Sequence, residues 1–269
     1  MSLNIIFLLA FLTQSTHAHE MWIEPQEFAI QSGEGILANE VVGQNFKGDK
    51  YAYVDDSFDS LNITVADKTK RINSRLGDLP AIQEKPSEEG LHIITAETSA
   101  LTLSYENLEK FTDFLNAEGL QWVLAEHKKR DLPESGFKEV YRRNAKSLIK
   151  VGHGKGQDKA LGMPFEWVLE TNPYTDKGVI KAQLLWQGKP ALDMHVNIFN
   201  KPKHDSLNSE LIKTSLRTDV EGRIEIPRGK GGLFLISSVK MIESKEDVAN
   251  KTGAVWESIW ASLSYKILN

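Results

Sequence analysis

The chain has 269 residues, of which 41% are apolar, 26% charged and 9% aromatic, an ordinary globular composition that excludes a collagenous, disordered or polytopic membrane protein. Its 32 Lys and Arg against 37 Asp and Glu leave a formal charge of −5, so the clustered positive charge that grips nucleic acid is not expected. There is no cysteine, which excludes disulfides, thiolate nucleophiles and thiolate-held metals.

Residues 5–12 read IIFLLAFL, an apolar run shorter than the about 20 residues of a membrane span. Polar TQSTHA follows, with Thr16 and Ala18 at the small-residue positions of a cleavage site, so residues 1–18 are expected to be a secretory signal peptide. No other segment is apolar enough to span a bilayer. The expectation is an exported, soluble periplasmic protein whose mature chain begins at His19. Its free α-amine and imidazole then belong to one residue and can chelate a metal ion together.

The mature chain is expected to be mainly β, with two β-sandwich domains of immunoglobulin-like or transthyretin-like kind. The first covers residues 19–151, with strand-like runs at 34–42, 60–65 and 91–96. A helical insertion is expected over about 106–130, where Leu108, Phe111 and Leu115 repeat at helical spacing and Gly119 stands as a cap. Leu148 to Val151 reads as a strand. Residues 152–163, rich in glycine, form the expected linker. The second domain, 164–269, alternates at Ile180, Ala182, Leu184 and Trp186, then at Met194, Val196 and Ile198, then at Ile224 and Ile226. The last strand places Ile259, Ala261, Leu263, Tyr265 and Ile267 on one face. Trp186 is expected in the core, and His195 on the face opposite Met194 and Val196.

Most catalytic and binding patterns are absent. There is no Gly-x-Ser-x-Gly elbow, no phosphate loop and no zincin helix, since Ile23 stands where the second histidine would be. Asp55, Asp56 and Asp59 fit no calcium loop. His92, His127, His153, His195 and His204 show no pair three or four apart, so any histidine site has to be assembled by the fold. The protein is not expected to be an enzyme.

Several ordered stretches resemble one family: HEMWIEP after the signal peptide, then EVYRRNAKSLI, LGMPFEWVLETNPY, LLWQGKPALDMHV, RTDVEGRIEIP and WESIWASLSY. They are similar to the NikM-like family of periplasmic proteins, catalogued mainly as a domain of unknown function and often labelled as nickel uptake transporters. The C-terminal part also resembles the carboxypeptidase-regulatory-like sandwich through its GKP and TDxxG turns. The resemblance implies uptake of nickel or a similar ion, with His19 as the matching functional position. It also implies a histidine where this chain carries Lys240, before Met241.

Three functions compete. The first is capture of a divalent transition metal (Ni²⁺, Co²⁺ or Cu²⁺) for an envelope transporter or receptor, with His19, His92 and His195 as ligands. The second is a metal-independent envelope interaction module, docking through exposed aromatics such as Trp256 and Trp260. The third is an oxidase built on an N-terminal histidine brace, which needs a second histidine beside His19.

Overall fold

A computed structural model describes residues 19–202, 210–229 and 231–268; the expected signal peptide and His204 lie outside them. In chain order the elements are β1 (Glu20–Pro25), β2 (Ala29–Ile30), β3 (Ile36–Gln44), β4 (Lys47–Tyr51), β5 (Phe58–Val65), β6 (Lys68–Arg71), β7 (Ile82–Glu84), β8 (Gly90–Thr98) and β9 (Leu101–Tyr105). Two helices follow, α1 (Leu108–Ala117) and α2 (Gln121–Lys129), and then β10 (Phe137–Val151). The rest comprises β11 (Phe165–Leu169), β12 (Ile180–Trp186), β13 (Lys189–Pro190), β14 (His195–Pro202), β15 (Ile212–Arg217), β16 (Arg223–Ile226), β17 (Gly232–Glu243), α3 (Glu246–Thr252) and β18 (Ala254–Ile267). The chain is mainly β, as expected, and its helical pair falls in the expected insertion.

The frame is a ten-stranded sheet in the order β15-β14-β17-β18-β10-β8-β5-β6, with β2 and β9 also paired to β10. At its centre β10 and β18 run parallel, from Lys138 opposite Ala254 to Ser147 opposite Ser264. Each is buried along nearly its whole length on both faces, as expected of strands inside a layered sheet. Polar Asn144, Lys146 and Ser147 are buried in β10, which hides the strand's period from a reading of hydrophobicity.

One face of this sheet is covered by β11, β12, β13 and β16. Phe165, Trp167, Leu184 and Ile226 pack there against Val196, Ile236 and the Ile259–Ala261–Leu263–Tyr265–Ile267 stripe. Leu91, Ile93 and Leu148 belong to the same core. Strands from both sides of the expected linker therefore share one sheet and one core.

The other face carries two covers. A small sheet of β1, β3, β4 and β7 sets Met21, Ile23, Ile36 and Ala38 against Ile63, Ile94, Ala145 and Ile149. Beside it, α1 and α2 lay Phe111, Phe114, Leu115 and Val123 on Val239, Met241, Trp256 and Trp260. The Asn107 side chain caps α1 by accepting from Lys110 N–H at 3.0 Å, and Gly119 turns the chain at φ +66°. The free edge of β1 is satisfied from below: Ser262 and Ser264 of β18 donate to the Met21 and Ile23 carbonyls at 2.6 and 2.5 Å.

Three expectations are corrected here. Trp256 and Trp260 are 0% and 3% exposed, because the helices cover them, so they are not docking aromatics. Trp186 is only half-buried: it ends β12 beside the Gln187-Gly188 turn, edge-on to Phe165 at 5.9 Å. The glycine-rich segment expected to be a linker is tied down. Asn172 donates to the Gly154 and Gly156 carbonyls at 3.0 and 2.8 Å, and Leu91 N–H to the Lys155 carbonyl at 2.8 Å.

Candidate functional site

His19 stands immediately before β1, half-buried, and its carbonyl accepts from Arg143 Nε at 2.9 Å. Arg143 is itself buried on β10, its guanidinium 4.6 Å over the Tyr141 ring, so the segment at His19 is fastened to the central sheet. A recess of about 220 Å³ opens beside it, lined by His19, Glu20, Gln44, Asp113, Phe114, Ala117, Glu118 and Trp260. The start of β1 brings Glu20, with His19 just before it; α1 and its C-terminal cap bring Asp113 and Glu118; Trp260 of β18 adds an apolar wall.

The recess is acidic and poorly solvated. Burial pushes the Glu20 carboxyl up to about 8, with the neighbouring Glu118 charge adding to the rise and Lys213 and the Asn45 N–H opposing it. That N–H reaches Glu20 Oε2 at 3.1 Å. Burial likewise pushes Glu118 up to about 7, against Lys213 and the Asn197 side chain. Glu118 also caps the C-terminal end of α1, where the helix dipole disfavours a negative charge. Burial therefore favours the protonated form of both carboxyls well above the ordinary carboxylate range.

The three expected ligands do not converge. His92 is 2% exposed on β8, opposite Ile149 of β10, while His19 is held at Arg143. Six residues of strand separate those two positions, about 20 Å. Burial holds the His92 imidazole below its ordinary value, and its Nδ1 lies 3.4 Å from the Gly90 carbonyl.

His195 is nearer to the recess but not in it. Its Nε2 is 3.3 Å from Asn197 Oδ1, and Asn197 Nδ2 donates to Glu118 Oε2 at 3.1 Å. Asn197 thus relays between His195 and the acid pair, with Ser215 donating to it at 2.9 Å. The His195 ring packs under Gly119 and faces a smaller recess with Asp193, Arg217 and Lys240. Lys240 lies 5.3 Å over the Trp186 ring, and burial holds its ammonium below the ordinary lysine value.

Among the described residues, no group of three or more His, Asp and Glu side chains is placed to hold a metal ion. The recess has His19 and acidic side chains, but the donors beyond His19's own amine and ring would have to close on the ion. The sequence reading did not single out Glu20, Asp113, Glu118 or Asn197. Glu118 did leave a trace, as an acid just before a capping glycine, where helices favour the opposite charge. A wider groove of about 740 Å³ elsewhere, past Trp186, Arg142 and Glu257, contains none of the three histidines.

The fold thus defines a mainly β chain of stacked sheets, with no helix among the described residues long and apolar enough to cross a membrane. The chain belongs to the family described as Domain of unknown function (DUF4198), whose model matches residues 16–241. No curated protein matches it. Among solved structures it is similar to the "D0-D1 domain of Intimin", with 13% identity over 90% of this chain and 96% of that one, at a TM-score of 0.22.

Proposed function

We propose that this is an exported periplasmic protein, processed between Ala18 and His19, that takes up a divalent transition metal ion and passes it to an envelope transporter or receptor. The observation that carries the reading is the recess in which His19 meets Glu20 and Glu118. After processing, the α-amine and imidazole of His19 offer a chelating pair of the kind that suits nickel, cobalt and copper. Glu20 and Glu118 add oxygen donors and, once deprotonated, the negative charge that a dication needs. Metal uptake there releases protons, so affinity rises with pH. The resemblance to the NikM-like family points the same way. The interaction-module reading loses its aromatic anchors to the helical cover over Trp256 and Trp260.

The test titrates Ni²⁺ and Cu²⁺ into four forms: protein with a native His19 start, the same with one Gly before His19, His19→Ala and Glu118→Gln. The expected order is native tightest, Gly-extended with an altered spectrum and weaker Ni²⁺ binding, His19→Ala weakest. Glu118→Gln should lose roughly tenfold in affinity, a typical loss for a supporting ligand. Equal affinity and equal spectra across all four would discard the metal reading.

A further inference from the structure

Lys146, Asp158 and Glu166 form a closed triad in the core, with side chains 0%, 0% and 1% exposed. Lys146 Nζ lies 3.1 Å from Asp158 Oδ1 and 3.3 Å from Glu166 Oε2, and donates to the Lys159 carbonyl at 3.0 Å. Leu169 N–H donates to Asp158 Oδ2 at 2.7 Å, and Lys159 N–H to Oδ1 at 2.8 Å. Leu161 and Gly162 N–H groups hold Glu166 in place, each at 3.0 Å. Two carboxylates around one ammonium, away from water, leave an uncompensated negative charge, an arrangement that is costly to bury.

We propose that Lys146 and Asp158 are joined by an isopeptide bond, formed within the folded chain with Glu166 as the proton-transfer group. Nζ is in contact with Oδ1, an oxygen bonded to the carbon it would attack, in a site where both side chains are 0% exposed, so folding has already brought the two groups together. Burial pushes the Asp158 carboxyl up, which favours moving the ammonium proton onto it and leaves the neutral acid beside a free amine. Nζ then adds to Asp158 Cγ. The negative charge that develops on Oδ2 is met by the Leu169 N–H, placed as an oxyanion donor. Glu166 takes one proton from the nitrogen and delivers it to the Oδ1 hydroxyl, which leaves as water while the carbonyl re-forms. Amine plus acid give amide plus one water, Glu166 ends as it began, and no oxidant or co-reactant enters. The product removes both charges of the pair from the core. It also closes a covalent loop from β10 to the segment before β11 in a chain that has no disulfide.

The test is peptide mapping of the denatured full-length chain. Trypsin cannot cut after an acylated Lys146, so residues 144–150 should appear joined to residues 156–159, lighter by one water than the two peptides together. Glu166→Gln and Lys146→Arg should both give the separate linear peptides, and Glu166→Gln should keep the circular dichroism of the wild type. Only linear peptides at their sequence masses in the wild type would overturn the proposal. A link from Lys146 to Glu166 would overturn the assignment of Asp158 as the acyl group. A fully linked Glu166→Gln chain would overturn the role of Glu166.

Discussion

Replacing Glu139 by Gln should stabilise the protein at neutral pH and flatten its pH profile. Glu139 is 0% exposed on β10, where Tyr105 donates to Oε2 at 2.9 Å and Ser258 donates to Oε1. Burial pushes its carboxyl up to about 7, against the opposing pull of Ser258, Tyr105 and Arg143. The folded state therefore keeps a proton that the unfolded chain has already lost above its ordinary value of 4.5. Stability falls as pH rises through that window, and the full penalty is present above about 7. A gap of about 2.5 pKa units corresponds to roughly 3 kcal/mol. Gln has no charge to desolvate and keeps an oxygen for Tyr105. Its amide can donate to Ser258, and a poorly formed contact there costs about 1 kcal/mol. Urea unfolding followed by tryptophan fluorescence, from about pH 4 to about pH 8, should show the variant gaining roughly 2–3 kcal/mol at the alkaline end and none at the acid end. Parallel profiles, or a variant less stable at neutral pH, would refute the reasoning.

Trp167→Ala should cost about 3–5 kcal/mol, since that ring is 0% exposed in the core between the sheets, while Trp186→Ala should cost only about 1–2 kcal/mol. Equal losses in urea unfolding would show that the two rings are equally buried. Gly119→Ala should cost about 1–3 kcal/mol, because its φ is +66° and a Cβ would lie 2.5 Å from the His195 ring. In a double-mutant cycle with His195→Ala, part of that loss should be recovered, whereas strict additivity would place the ring elsewhere.

The alternation of Ile259 to Ile267 marked one buried face of the last strand, and the structure packs that stripe as expected. The opposite face was illegible. Trp256 and Trp260 are covered by helices more than roughly 100 residues earlier in the chain, and no local period reports such a cover. The glycines at 152–156 suggested a linker because glycine tolerates many backbone conformations. The bonds that hold the segment come from Leu91 and Asn172, distant in sequence. At the candidate site, His19 stood out through the cleavage pattern before it. Glu118 joins His19 in the recess, and Asn197 bonds Glu118, only when the end of α1 meets β14, and His92 falls away because β8 and β10 pair in a register that carries it down the sheet.

The parallel pairing of β10 with β18 governs the order in which the chain can become a protein. The strand that completes the middle of the sheet is made after its partner, which stands more than roughly 100 residues earlier in the chain. Until it arrives, β10 keeps an open edge, and the layers on both faces have no common floor. Contacts as distant as Ser262 with Met21 give the fold a high contact order, so folding is expected to be slow and to wait until β18 has been made. A truncation inside β18 removes the shared centre of the sheet, so a chain shortened there should be cleared by proteases rather than accumulate as a trimmed but folded form.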